Sequence, residues 1–141
     1  MSEIKTTFLD KVNNENLSKS DVVNLFKNLN DTDLEYSNTG YFQFEISDES
    51  NIILQFSAID KENISFRYDE NIPNIRNGQS WYSSNGSDDS EIVDAGDENY
   101  VPKNSFVNME KTVDIINEFF ENPRQKPSIV FWTNAEDFDW E

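Results

Sequence analysis

The sequence predicts an α+β fold: an antiparallel sheet of about five or six strands with two principal helices packed on it. Three observations carry that expectation. Residues 41–68 alternate apolar and polar residues in three runs joined by short polar links, the pattern of an antiparallel meander. Two segments, one near each end, repeat apolar residues at helical spacing instead. At 141 residues one domain spanning 1–141 is the expectation, long enough to bury a core.

Taken in order, Ile4, Phe8, Leu9 and Val12 fit either a short helix or a first strand, and the spacing does not choose between them. Ser18 or Ser20 can cap a helix running to about Leu29, with Asp21 in its first turn. Val22, Leu25, Phe26 and Leu29 then share one face and point inward. Asn30-Asp31-Thr32-Asp33 breaks that helix. Tyr41–Ile46 alternates strictly, with Phe42, Phe44 and Ile46 on one side. Ile52–Ile59 is more apolar and reads as the central strand, and Ile64–Tyr68 alternates again. Beyond Tyr68 the pattern loosens. Trp81-Tyr82 and Ile92-Val93 are short apolar patches on either side of a Ser/Asp loop, expected as two short strands of one hairpin or its irregular equivalent.

Val101–Trp132 reads as a lead-in loop, an amphipathic helix, a Pro-containing turn and a buried strand. Asn108 is the expected N-cap, and Glu110 sits where the helix dipole favours negative charge. Met109, Val113, Ile116 and Phe120 fall on one face, which Ile115 and Phe119 widen. Pro123 ends the helix, because the residue before a proline is pushed out of the α region. Pro127 then opens Ser128-Ile129-Val130-Phe131-Trp132, an apolar run of strand length.

The same segment resembles the C-terminal part of a family of small immunity proteins from bacterial polymorphic-toxin systems, a family that includes partners of double-stranded-DNA deaminase toxins. The residues that carry the resemblance are Val101-Pro102, the capped helix ending in Phe119-Phe120, the basic turn Arg124-Gln125-Lys126-Pro127, and Trp132 closing the strand. They span about a quarter of the chain. Pro123 within the turn, and the longer step from Val101-Pro102 to the helix, depart from that pattern. The resemblance implies a protein that binds a cognate toxin and blocks it stoichiometrically, with a nucleic-acid deaminase as the toxin class it points to.

Composition bounds the chemistry independently. With 28 acidic and 11 basic residues the net charge is −17, which repels nucleic acid and anionic membrane and favours a basic partner. The chain has no Cys and no His, which excludes disulfides, zinc sites of the usual ligand types, Ser-His triads and Cys-His pairs. No apolar leader follows a basic start, and no run approaches membrane-spanning length, so a cytoplasmic protein, monomeric before it meets its partner, is expected. Eleven Phe supply much of the buried area and argue against disorder.

The candidate partner-binding residues are Asp88, Asp89, Glu91, Asp94, Asp97 and Glu98, a run with no Lys or Arg between Arg76 and Lys103, together with Trp81, Tyr82 and Tyr100 nearby. Aromatic side chains rimmed by charge are common interface anchors. The alternative for the run is a solvated loop. Asp94–Asn99 offers oxygen ligands for calcium but misses the register of an EF-hand loop. A carboxylate pair could serve a glycosidase, yet no flanking motif points to one, and four Gly leave no phosphate-cradling loop. No enzyme activity, cofactor or metal is therefore expected. The alternating acidic and aromatic tail Glu136–Glu141 either frays or extends the binding surface. Two functional classes compete: an immunity protein, and an acidic decoy that mimics DNA toward a host DNA-binding protein. A toxin gene immediately upstream would distinguish them.

Overall fold

The computed structural model describes residues 4–47, 49–73, 79–96, 98–138 and 140. It is an α+β protein built on a large antiparallel sheet. The strands are β1 (Ile4–Phe8), β2 (Val12–Asn16), β3 (Thr39–Ser47), β4 (Ser50–Asp60), β5 (Asn63–Asn71), β6 (Gln79–Ser84), β7 (Ile92–Asp94), β8 (Tyr100–Pro102), β9 (Phe106–Val107) and β10 (Phe131–Asn134). The helices are α1 (Lys19–Lys27), the single turn α2 (Asp31–Leu34) and α3 (Met109–Glu121). Eight strands form the main sheet in the order β10-β6-β5-β4-β3-β1-β2, with β9 added beside β5, while β7 and β8 form a separate ribbon. The sheet is thus wider than five or six strands. The extra width comes from the N-terminal segment, which is the hairpin β1–β2 rather than a helix, and from β9.

The central meander is as the alternation predicts. Phe42, Leu54, Tyr68 and Trp81 stand in one cross-strand row, and Phe8, Gly40, Phe56 and Phe66 in the next. These rows face α1 and α3. Phe26 of α1 enters this face and meets Phe8 and Phe56 at ring-centroid distances of 5.0 and 4.9 Å, both edge-on, a favoured geometry for aromatic pairs. Gly40 is required by close approach: a Cβ there would lie 2.5 Å from both the Thr7 carbonyl oxygen and the Phe56 ring.

Both long helices start where their caps place them. The Ser18 side chain accepts from the Asp21 N–H, and the Asp21 carboxylate accepts from the Ser18 N–H, a reciprocal box. Asn30 and Asp33 repeat the arrangement for α2. The segment expected only to break α1 therefore also starts a new turn. In α3 the Asn108 side chain accepts from the Lys111 N–H at 2.9 Å. Its fully buried line is Thr112, Ile115, Ile116 and Phe119, rotated from the expected stripe, and Phe119 meets the Tyr68 ring of β5. Phe120 is half-buried and packs edge-on against Phe42.

Two expectations for the second half are corrected. Trp81-Tyr82 and Ile92-Val93 do not form a hairpin: β6 pairs with β5 and β10, and β7 pairs with β8. Ser128–Trp132 is not a buried strand. The strand starts at Phe131, lies at the sheet edge, and leaves Phe131 81% exposed. Alternation along β10 puts Phe131 with Thr133 on the polar face of the sheet, away from the helix side that Trp132 faces. Trp132 is half-buried on the helix side, its indole N–H donating to the Pro127 carbonyl at 2.7 Å.

The opposite face of the sheet is polar and only partly covered. Tyr41, Gln55, Arg67, Tyr82 and Thr133 form one cross-strand row there. The β7–β8 ribbon and the C-terminal segment cover its β6 end, where Tyr82, Ala95 and Val101 form a second small core with Val93, Phe106 and Phe138.

Candidate interaction surface

The acidic stretch lies in the loop and ribbon that follow β6. Asp88, Asp89, Glu91, Asp94 and Glu98 are all exposed. Asp97 lies outside the described residues. The carboxylates divide by what they hold. Asp94 accepts from the Gly96 N–H at 2.8 Å and so shapes the ribbon turn. Asp89 accepts from the Glu91 N–H at 3.3 Å and pairs with Lys103 at 3.2 Å. The stretch is therefore not wholly uncompensated: the cation that answers it comes from beyond β8, which register brings back alongside β7. Among the described residues Asp88, Glu91 and Glu98 have no cation within ion-pair distance.

The Glu91 N–H first, and Lys103 after it, hold the Asp89 carboxyl below its ordinary titration range. A depressed carboxylate contributes stability above the unfolded-state pKa and loses it as pH falls through the folded one. In an NMR titration Asp89 should therefore protonate below the usual Asp range. Lys103→Ala should raise its midpoint only part of the way, because the backbone bond survives.

One buried side chain ties the ribbon turn to the sheet. Asn38, just before β3, donates from its amide nitrogen to the Ala95 carbonyl at 2.8 Å and accepts from the Asn99 amide at 3.1 Å. Its own carbonyl accepts from the Ala58 N–H at 2.8 Å. Gly96 closes against it with φ +119, where an added Cβ would lie 2.5 Å from the Asn38 amide nitrogen. Glu98 also sits at positive φ, +62. The described residues of the turn on either side are thus tied to the sheet, Ala95 through Asn38 and Asn99 through both Asn38 and the Gly96 carbonyl. Asn38→Ala strips the buried Ala95 carbonyl of its partner and should cost about 1–3 kcal/mol, with hydrogen exchange accelerating in the ribbon ahead of the central strands.

The aromatic residues expected beside the acidic stretch are placed otherwise. Tyr82 is buried beneath Val101 and the C-terminal segment, its ring 6.0 Å from Phe138 and 5.6 Å from Trp140. Trp81 points to the helix side, where the Lys126 ammonium stands 4.0 Å above its ring, a cation–π contact that covers it. Strand alternation separates these neighbours, sending Trp81 and Tyr82 to opposite faces. Tyr100 alone of the three is open, at 56% exposure, and stands opposite Asp94 in the ribbon.

Two other large side chains lie exposed on the far side of the ribbon. Tyr36 is 77% exposed and Ile59 47%. Together with Leu34 and Ala58 they line a groove of about 550 Å³ whose far wall is the ribbon at Asp94, Ala95 and Gly96. The sequence carried a signal for each. Alternation along β4 sets Ile59 on the polar face with Gln55 and Ser57, and Tyr36 is a lone aromatic residue between Glu35 and Ser37.

Across the ribbon a polar groove of about 300 Å³ runs between Gln55, Ser57 and Arg67 on the sheet and Glu98, Asn99 and Tyr100 on the turn. Arg67 is committed within it. Its Nε lies 3.0 Å from Asp69 Oδ1, and Gln55 donates to the other Asp69 oxygen at 2.6 Å. Burial works against the Arg67 charge, but Asp69 and Tyr82 outweigh it and raise its pKa. The tail is folded rather than frayed where it is described: Phe138 and Trp140 pack at Tyr82, and the Trp140 indole donates to the Ala135 carbonyl at 2.7 Å.

Among the described residues no group of three carboxylates is placed to hold a metal ion, and no helix is long and apolar enough to cross a membrane. Compared with known proteins, the chain matches no family model, no curated protein and no solved structure.

Proposed function

We propose that this chain is an immunity protein: it binds a cognate toxin made by the same bacterium and neutralises it by occluding its active site or substrate cleft. The inhibition is stoichiometric, takes place in the cytoplasm, and uses no cofactor and no catalysis by the inhibitor. The observation that carries this reading is the acidic ribbon turn, with Asp94 beside Ile59 and Tyr36 on one side and Glu98 and exposed Tyr100 on the other, on a chain of net charge −17. A toxin acting on DNA or RNA needs a positive cleft for phosphate. An acidic surface with exposed Tyr100, Tyr36 and Ile59 near it complements such a cleft, and opposite potentials speed the encounter. The resemblance of Val101–Trp132 to the immunity family points the same way and makes a nucleic-acid deaminase the first toxin class to test.

The test uses the product of the gene immediately upstream. Its toxin domain, mixed with this protein, should elute as a one-to-one complex and lose its activity on nucleic acid. Cells expressing the toxin should survive only when this protein is co-expressed. Absence of both complex and protection overturns the reading. Capture of a host DNA-binding protein, with no effect on the toxin, would establish the decoy function instead.

A further inference from the structure

The acidic ribbon is one part of a longer feature. Three grooves adjoin along one end of the sheet. The first, about 470 Å³, is lined by Ile129, Val130 and Phe131 on one side and by Phe106 and Val107 on the other. The second, about 500 Å³, shares Phe106 and Asn85 with the first and continues past Val93 to Ile59. The third is the groove of Tyr36 already described, which shares Ile59 and Asp94 with the second. Exposed apolar side chains recur along this line: Phe131 at 81%, Ile129 at 36%, Ile59 at 47% and Tyr36 at 77%. These are four of the six large apolar side chains that the described residues expose. Their alignment is what distinguishes them from scattered surface hydrophobics, which are ordinary.

Charge decides what can lie there. Glu62, Asp89, Asp94 and Glu35 line the three grooves, against Lys111 and Lys103. Lys103 is already paired with Asp89 at 3.2 Å, which leaves the line net acidic. A second copy of the chain would bring another −17 against this one and is disfavoured. A narrow succession of apolar stations separated by carboxylates fits a single chain segment whose large apolar side chains are spaced by Lys or Arg. It fits a flat globular face less well.

We propose that these adjoining grooves form one docking trough for an extended, basic and apolar segment of a partner protein, with Phe131 and Ile59 as its principal contacts. The proposal rests on the inhibitory reading only for the identity of the partner, the toxin, which would present such a segment as an arm beside its catalytic cleft. It moves one end of the interface to the edge strand β10, well away from the ribbon in sequence.

The test uses labelled synthetic peptides and fluorescence anisotropy on the full chain. A peptide alternating Leu with Lys should bind saturably. A Ser/Lys peptide and a Leu/Glu peptide, which keep only charge or only apolarity, should bind at least about tenfold more weakly, the equivalent of about 1.4 kcal/mol. The double variant Phe131→Ser/Ile59→Ser replaces exposed side chains, so its melting temperature should match the parent, and it should lose Leu/Lys binding by a similar factor. Equal binding of the Ser/Lys peptide, or unchanged binding by the double variant, overturns the trough. If the upstream-encoded toxin is bound and inhibited equally well by the double variant, the inhibitory reading stands and the trough is not its contact. If the Leu/Lys peptide binds through Phe131 and Ile59 while that toxin is ignored, the trough stands and the inhibitory reading fails.

Discussion

Ile116→Ala should destabilise the protein by about 2–5 kcal/mol, and Phe119→Ala by about 3–5 kcal/mol, in chemical denaturation. Both side chains are fully buried on α3, and both belong to the single large cluster that includes Phe8, Phe26, Phe42 and Phe66. The cost arises twice, from the lost transfer of apolar surface and from a cavity that a rigid sheet cannot collapse to fill. Phe119 also meets the Tyr68 ring edge-on at 6.2 Å, and the Tyr68 hydroxyl donates to the Pro123 carbonyl at 2.7 Å. Loss of the Phe119 ring should therefore loosen the turn after α3 as well. Phe120 is only half-buried, so Phe120→Ala should cost less than either. Losses under about 0.5 kcal/mol for both Ile116 and Phe119, far below the usual range for emptied core sites, would mean that α3 does not hold the helix layer on the sheet.

Neutralising Asp88, Glu91 and Glu98 together, with Tyr100→Ala, should weaken binding of the proposed toxin at least about 100-fold while the melting temperature holds, a change of about 2.7 kcal/mol. The choice of residues follows from their surroundings. These three carboxylates are exposed and lack an ion pair among the described residues, and Tyr100 is the open ring in the groove with Glu98. Asp94 and Asp89 are left in place because Asp94 accepts from the Gly96 N–H, while Asp89 accepts from the Glu91 N–H and pairs with Lys103. Substituting those two would confuse loss of contact with loss of the turn. Two effects contribute. Long-range attraction raises the association rate and is screened over about 8–10 Å at physiological salt. A carboxylate buried against a toxin Arg or Lys also slows dissociation, and its removal costs about 2–5 kcal/mol because the partner charge is left unpaired. Added salt should thus slow association of the parent more than of the variant. Unchanged kinetics with full protection of toxin-expressing cells would place the contact elsewhere, and Tyr36→Ala would be the next substitution to measure.

What could be read from the chain was what neighbouring residues settle among themselves. Ser18, Asn108 and Pro123 set helix ends through bonds and clashes within a turn of their own positions. The alternation of Tyr41–Ile46 and Ile64–Tyr68 sorted side chains to two faces before any partner strand was known. The absence of His and Cys, and the net charge, are properties of composition and hold in any fold. Tertiary structure decided everything that depends on which distant segments meet. Register brings Lys103 back alongside β7 to Asp89, so a run with no cation nearby in sequence acquires one in space. The pairing of β6 with β5 and β10 puts Trp81 and Tyr82 on opposite faces, and both are covered by residues far along the chain, Lys126 and Phe138. Tyr36 and Ile59 lie against the acidic ribbon, which Asn38 bonds to the start of β3 and the end of β4. Each of these contacts joins residues well separated in sequence, whose encounter is determined by closure of the whole sheet and not by local preference, and that is why the acidic stretch was legible in the sequence while the placing of Tyr36 and Ile59 beside it was not.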